Sequence, residues 1–493
     1  MSTETAVKEQ APKLKKKKER DPSKLGVGRM VTWNARAAST AINNLVIGSY
    51  ILVYCTQALH LRPGTVSIIL MCCKIFDGFT DLVAGFIVDN TNTKWGRGRP
   101  YEWCVIGLWL CTWLMYSTPA GWGNVAKYVW ITIFYVLSTS IFTTFLNANG
   151  TVYMIRAFHN EQAYVKLSSW GGIFVTACVI VFNFIMPSYQ AKIIDSPTGW
   201  SHLIGIVALP LALIGILRFF FIKEEVDLDI KTAEKVTWSD VVTLLKTNKY
   251  IYVVALLLLL STAGGSISVS YYYFIYIVQD LSIMGVMSLL GIIAMASMVL
   301  YPLLLKKISV VNMMRIFLLL YIPYGFIAWF AKANMTMLII AGILSGLAAL
   351  PVSYMSALLL VDMADYNEWK GIKRMEGCVG CVTGFSNKVG AALGTFILGQ
   401  LLEIGKFSTE ANAIQPDSAI FMIRFIYAWI PVIFGILMLV VLSFWKLDKQ
   451  KPQMEKELAA ARAARGEGEA AVEAAVSASD EKVDMDDVKE TLE

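Results

Sequence analysis

Asp77 and Asp81 stand four residues apart in an apolar stretch, with Lys74 one turn earlier and Thr80 between them. On a helix that spacing turns both carboxylates to the same face. Carboxylates at membrane depth are costly, so they usually face a cavity and take up ions or protons. With the Thr80 hydroxyl they offer oxygen ligands for one hard monovalent cation such as Na⁺. Alternatively the pair holds a proton, because like charges this close resist being ionised together. Lys74 would neutralise part of the negative charge when the cation is absent. The competing reading is a Lys–Asp pair that only fixes helix packing.

Further charges gather near span ends. Asp89 follows Gly85, and the basic turn Lys94-Trp95-Gly96-Arg97-Gly98-Arg99-Pro100 comes next. An acid at a helix end and a basic fork in the following loop can latch one side of the molecule, or only set its topology. In the second half Asp362, Asp365, Glu368 and Glu376 alternate with Lys370, Lys373 and Arg374, which suggests an ion-pair network. Asp89, Arg97, Arg99, Asp362, Asp365 and Arg374 are therefore the expected gate. Lys388 lies about three turns into the next apolar span, where a lysine needs a carboxylate, a substrate or a water-filled cavity. Lys74 and Lys388 are the candidate coupling residues.

Polar groups inside spans complete the candidates. Thr139, Thr143, Thr144, Asn147, Asn149 and Thr151 lie on the fourth span, and Asn43 and Asn44 on the first. Amides and hydroxyls match the donors and acceptors of a sugar. They also bond helix to helix, which is the plainer alternative. Tyr50 and Trp170 could stack on a sugar ring, as could Tyr271, Tyr272, Tyr273 and Tyr276, although aromatics also gather at membrane interfaces.

The elements that must position these groups are membrane helices. Of 493 residues 56% are hydrophobic and 16% charged, and mean hydropathy is +0.57. Ordinary soluble domains carry about 25% charge. Apolar runs long enough to span a bilayer recur along the chain, as at 101–121, 203–222 and 422–445. The expectation is an all-α integral membrane protein of twelve transmembrane helices in two six-helix halves. Residues 1–29 form a basic tail, 30–222 the first bundle, 223–248 a linker, 249–448 the second bundle, and 449–493 an acidic, disordered tail. The Lys-rich start and basic alternate loops place both termini in the cytoplasm, and no cleavable signal is expected. The net charge of +6 then reflects topology and contact with the bilayer, not a nucleic-acid partner. The cysteines read as packing residues, Cys378 and Cys381 included.

These segments together resemble the glycoside–pentoside–hexuronide:cation symporters of the major facilitator superfamily. The likeness rests on Asp77-Gly78-Phe79-Thr80-Asp81 through Trp95-Gly96-Arg97-Gly98-Arg99-Pro100, and on Asp362 to Gly377 followed by Lys388. It implies the major facilitator fold and Na⁺ or H⁺ at Asp77 and Asp81 with Lys388 nearby. It also implies a sugar between the halves and a multi-pass protein of the plasma (inner) membrane; with Lys166, the candidates read above for that sugar are Asn43, Asn44, Tyr50, Asn147, Asn149 and Trp170. Lys166 stands where the family commonly has an arginine. The melibiose-carrying member has aspartates on its first and fourth helices; here those neighbourhoods offer Thr40, Ala41, Asn43 and Asn44, and then Leu146 and Asn147. Fewer acids beside retained lysines favour a pentoside or a carboxylate-bearing hexuronide over a galactoside.

The resulting reading is cation-coupled sugar symport by alternating access, with no cofactor and no metal beyond the coupling ion. A sugar sensor that binds without transporting, or a lipid carrier on the same fold, are the alternatives. ATP-driven transport lacks its phosphate loop, and no His/Asp/Glu cluster has the spacing of a metalloenzyme.

Overall fold

The computed structural model describes residues 26–91, 93–96, 98–158, 161–223, 246–371, 376–410 and 414–464. Among them the chain is helical, apart from one isolated bridge between Thr93 and Gly96. Hydrocarbon offers backbone groups no partner, so a chain this apolar must satisfy them within helices. In order the helices are α1 (Val27–Ala58), α2 (Pro63–Asn90), α3 (Cys104–Met115, entered through a 3-10 turn at Arg99–Trp103) and α4 (124–158). Then come α5 (Glu161–Gln190), α6 (Pro197–Phe221), α7 (Tyr250–Val278), α8 (282–305) and α9 (Val310–Ala331). The last are α10 (Met335–Trp369), α11 (Glu376–Ile404), α12 (Asp417–Ser443) and α13 (Lys451–Ala464). Nine helices among the described residues are long and apolar enough to cross a bilayer.

Three of these helices contain π-helical stretches. The π-helical stretches are Val46–Tyr50 and Tyr54–Ala58 in α1, Leu137–Thr143 in α4, and Phe274–Val278 in α7. Such stretches often mark functional positions. In α7 the regular helix stops at Gly265 and resumes at Ser270, while α10 carries Pro351 in its interior.

The two ends of the bundle differ. At the end that carries the His60 loop, one apolar cluster joins early and late helices: Tyr50, Tyr54 and Trp200 pack with Tyr271, Tyr272 and Phe407. Thr56 and Tyr272 hydroxyls lie 2.9 Å apart, Tyr276 donates to Gln57 Oε1 at 2.7 Å, and Gln400 donates to the Gly64 carbonyl at 3.1 Å. At the opposite end the buried clusters separate. Trp33, Tyr153, Phe158, Leu167 and Ile222 form one, while Tyr250, Tyr366, Trp445, Met454 and Leu458 belong to another.

Close approach depends on glycine. An added Cβ on Gly390 or Gly394 of α11 would collide with the Leu259 or Ala263 carbonyl of α7. On Gly399 it would strike Ser67 and Pro63 of α2. Thus α11 is gripped on two sides, by α7 and by α2.

Two expected boundaries shift. Helix α1 starts at Val27, three residues before the expected bundle. The expected disordered tail of 449–493 begins instead with a helix, α13, whose Met454 and Leu458 are buried against the second cluster. Two apolar residues one turn apart suffice to dock an otherwise Ala/Glu-rich segment. Residues 1–25, 224–245 and 465–493, which hold most of the basic tail, the linker and the acidic tail, lie outside the described residues.

Gly394→Ala should lower stability by about 1–3 kcal/mol, the usual cost of overpacking. Gly384→Ala, where a Cβ meets nothing within 4 Å, should stay within about 0.5 kcal/mol. Thermal unfolding of the purified protein in detergent would separate the two.

Candidate functional site

The i, i+4 spacing on α2 does turn Asp77 and Asp81 to one side, and a lysine from α11 meets both. Lys388 Nζ lies 2.9 Å from Asp77 Oδ2, donates to the Asp77 carbonyl at 3.1 Å, and pairs with Asp81. From α4, immediately after its π-helical stretch, Thr144 donates to Asp77 Oδ1 at 3.0 Å. Asp81 is the more open carboxylate, its side chain 43% exposed against 18% for Asp77. Beside Lys388, Asn387 accepts a 2.8 Å hydrogen bond from Thr262 of α7. The site is therefore built by four helices, α2, α4, α7 and α11.

Lys74 does not make the contact expected from its spacing. Its ammonium reaches α11 instead, donating to Thr395 Oγ1 at 2.8 Å and the Ala391 carbonyl at 3.2 Å. Neutralising the aspartates falls to Lys388, because i, i+3 neighbours share a face but a long side chain chooses the better-placed acceptors. Thr80 turns its hydroxyl back to its own helix, donating to the Asp77 carbonyl at 3.0 Å. With Lys74 nearby, two carboxylates and two ammonium groups balance one another. That balance matters, because a charge left without its partner in a part-buried site is destabilising.

The polar candidates divide by burial. Asn44, Asn147 and Trp170 are exposed. Asn43 is buried and donates to Thr112 Oγ1 at 2.8 Å, joining α1 to α3. Asn149 is buried too, donating to the Gly98 carbonyl at 3.0 Å and Glu102 Oε1 at 3.3 Å. Tyr50 is fully buried with its ring edge-on to Tyr271, centroids 4.9 Å apart. In this conformation Asn43, Asn149 and Tyr50 hold helices together, a correction to their expected place on a sugar. The Lys166 side chain lies outside what the structure describes.

The expected gate is only partly visible. Arg97, Arg374 and the Asp89 side chain fall outside the described residues. Arg99 donates to the Phe219 carbonyl at 2.8 Å and covers the Phe219 ring, so it caps the end of α6. Asp362 pairs with Lys451 of α13 at 2.7 Å, a partner that long-range folding alone brings near. Burial would lower the Lys451 pKa, but the bond to Asp362 outweighs it and the ammonium stays above its usual value.

One charged group went unremarked in the sequence. Glu102 is fully buried between Arg36 Nε at 3.5 Å and Arg218 Nε at 3.7 Å, with the Arg218 guanidinium over the Trp33 ring. Each is a charge inside or beside an apolar run, so the rule that singled out Asp77 would have found all three.

A bundle of apolar helices that closes at one end, separates its core at the other and carries an ion-paired seam between defines a membrane transporter of the major facilitator type. Residues 35–449 match the family described as MFS/sugar transport protein, and the chain belongs to that family. It is a transporter and not an enzyme. The isoprimeverose transporter of Lactiplantibacillus pentosus is 27% identical over 443 residues, spanning 87% of this chain and 92% of the relative. A glucuronide carrier protein homolog of Escherichia coli (strain K12) is 24% identical over 417 residues, 82% of this chain and 88% of the relative. The solved D-xylose-proton symporter shares the fold, with a TM-score of 0.60 at 14% identity over 85% of this chain and 97% of its own.

Lys388→Ala would leave two carboxylates facing each other without their ammonium. We expect a loss of about 1–3 kcal/mol, between the values for an exposed and a buried pair, recovered in large part by Asp77→Asn in the same chain. Thermal melts of the two variants would check this; an unchanged single variant would mean that the pairing carries no stability.

Proposed function

We propose that the protein couples the movement of a monovalent cation, Na⁺ or H⁺, to symport of a sugar, a pentoside or hexuronide among the candidates. The observation that carries this is the Lys388 ammonium seated between Asp77 and Asp81, because an entering cation must compete with it for the same oxygens. Asp81, the more open acid, is the first to meet that cation. Once the cation neutralises the carboxylates, Lys388 is free to leave, and the contact between α2 and α11 loosens. The exposed Asn44, Asn147 and Trp170 are the candidates for contact with the sugar. Each ligand raises affinity for the other by favouring the same arrangement of the halves.

The twelve helices α1–α12 are read as twelve spans, with 30–222 and 249–448 as two six-helix halves joined by 223–248. Basic residues support a cytoplasmic setting for the end remote from His60, since Lys94, Lys223, Lys246, Lys249, Lys306, Lys307 and Lys370 all fall in the loops or helix ends there. In a plasma membrane both termini then lie in the cytoplasm, and the conformation described is closed outward. Relatives named as isoprimeverose transporter and glucuronide carrier homolog agree with a sugar cargo.

Uptake of labelled glucuronide, pentoside and neutral galactoside into vesicles, under imposed Na⁺ or pH gradients, tests the reading. Gradient-driven uptake of one class should fall at least about tenfold in Asp77→Ala, as for loss of a buried ion contact worth over 1.4 kcal/mol. Uptake indifferent to both gradients and to Asp77 would sink the coupling. Binding without uptake would make the protein a sensor.

A further inference from the structure

At the end remote from His60, a groove of about 350 Å³ lies between the start of α7 and the end of α12. Lys249, Tyr250 and Val253 form one wall, Phe444 and Lys446 the other. No residue of the ion-paired seam lines it, and the sugar transport read above makes no use of it.

Buried neighbours fix which way these residues point. On the α7 side Asn248 is buried, donating to Asn367 Oδ1 at 2.7 Å, and Tyr250 is buried edge-on to Tyr366. Lys249, between them, is turned out, its ammonium 5.7 Å from the centre of the Tyr250 ring. On the other side the chain leaves α12 at Ser443 and folds Trp445 inward, 5.2 Å from Tyr250, where the indole donates to Asp448 at 2.7 Å. Phe444 and Lys446, which flank that anchor, are both exposed. The two lysines are thus held on facing walls by the packing behind them.

Charge and surface narrow the occupant. Lys246 and Lys449 are exposed beside the groove, and none of the four lysines pairs with a carboxylate of another described residue. The nearby acids face inward, Asp448 to Trp445 and Asp362 to Lys451. The groove therefore attracts an anion. Its remaining surface is apolar: Phe444 is 66% exposed, and the exposed Leu256 and Val440, one turn deeper on each helix, continue the two walls toward the hydrocarbon. A soluble anion gains nothing from that strip, whereas a phospholipid brings a phosphate for the lysines and acyl chains for the rest. Basic pockets between spans on the cytoplasmic side suit anionic headgroups, and aromatic rings suit headgroup depth.

We propose that this groove binds an anionic phospholipid of the inner leaflet, with its phosphate between Lys249 and Lys446 and its acyl chains along α7 and α12. The inference rests on the cytoplasmic placement of this end, not on the choice of sugar or coupling ion. Both walls belong to the second half, so the lipid travels with that half and does not bridge the seam. Native mass spectrometry of the full-length protein in neutral detergent, titrated with phosphatidylglycerol or phosphatidylcholine, tests it. The wild type should retain one phosphatidylglycerol at concentrations at least about tenfold below those needed for phosphatidylcholine.

Lys249→Gln with Lys446→Gln should weaken that binding at least about tenfold, as the loss of two lysines beside an anionic headgroup does. Lys306→Gln with Lys307→Gln removes the same charge from exposed positions just after α8 and should change it less than about twofold, since attraction beyond a Debye length is screened. Equal retention of the two lipids, equal weakening by the two pairs of substitutions, or displacement by inorganic phosphate at a comparable concentration would overturn the site. Lys446→Cys, in a background without the native cysteines, should react with a membrane-impermeant maleimide only after cells are opened. Labelling of intact cells would overturn the inner-leaflet placement. Sugar uptake enters none of these readouts, so failure of the lipid site and failure of the symport reading are told apart.

Discussion

A single ammonium group between two carboxylates governs how the halves of this molecule meet. Lys388 belongs to α11, Asp77 and Asp81 to α2, and the three charges lie where hydrocarbon would otherwise surround them. No member can leave without a substitute, since an isolated charge at that depth is far less stable than a paired one. The contact is firm enough to hold the halves together, yet any other cation of suitable size competes for the same oxygens. Thr144 from α4 adds a hydrogen bond to Asp77, and Asn387 ties the same stretch of α11 to Thr262 of α7. A change at the carboxylates is therefore felt at once by helices of both halves.

The rest of the architecture divides between what slides and what does not. Gly390 and Gly394 let α11 lie against the carbonyls of α7, so this pair behaves as one body. The α2–α11 seam is packed as closely at Gly399, but its polar contacts are exchangeable ones: the ion pairs at its middle, Lys74 with Thr395, and Gln400 with Gly64 toward the closed end. Aromatic packing of Tyr50 on Tyr271 and hydrogen bonds from Tyr272 and Tyr276 complete that closure. Opening there breaks a few polar contacts and parts an apolar cluster, a modest change for a rocking motion of two bundles.

Much of this was legible in the residues themselves. The membrane class follows from composition, and the four-residue spacing of Asp77 and Asp81 gave their shared face. What the chain could not disclose is which neighbour a polar side chain chooses. Asn43 and Asn149 read as sugar ligands because an amide inside a span looks the same whether it faces a cavity or another helix. Lys74 had Asp77 three residues away yet bonds to α11, and Asp362 found Lys451 some ninety residues on. The buried trio of Arg36, Glu102 and Arg218 is readable by the same depth argument. Helix α13 was hidden by its composition, since only Met454 and Leu458 betray its docking face.

The π-helical stretch of α4 carries a consequence for how this protein can change over time. A π turn holds one residue more than an α turn, so Leu137–Thr143 amounts to a single-residue insertion that fixes the rotational phase of everything after it. Removing one residue there would restore the ordinary pitch and swing Thr144 by about 100° around the helix axis, away from Asp77. Chain length, rather than residue identity, sets that contact. Divergence in this segment would thus be recorded as a gain or loss of one position, while the flanking threonines could remain letter for letter the same.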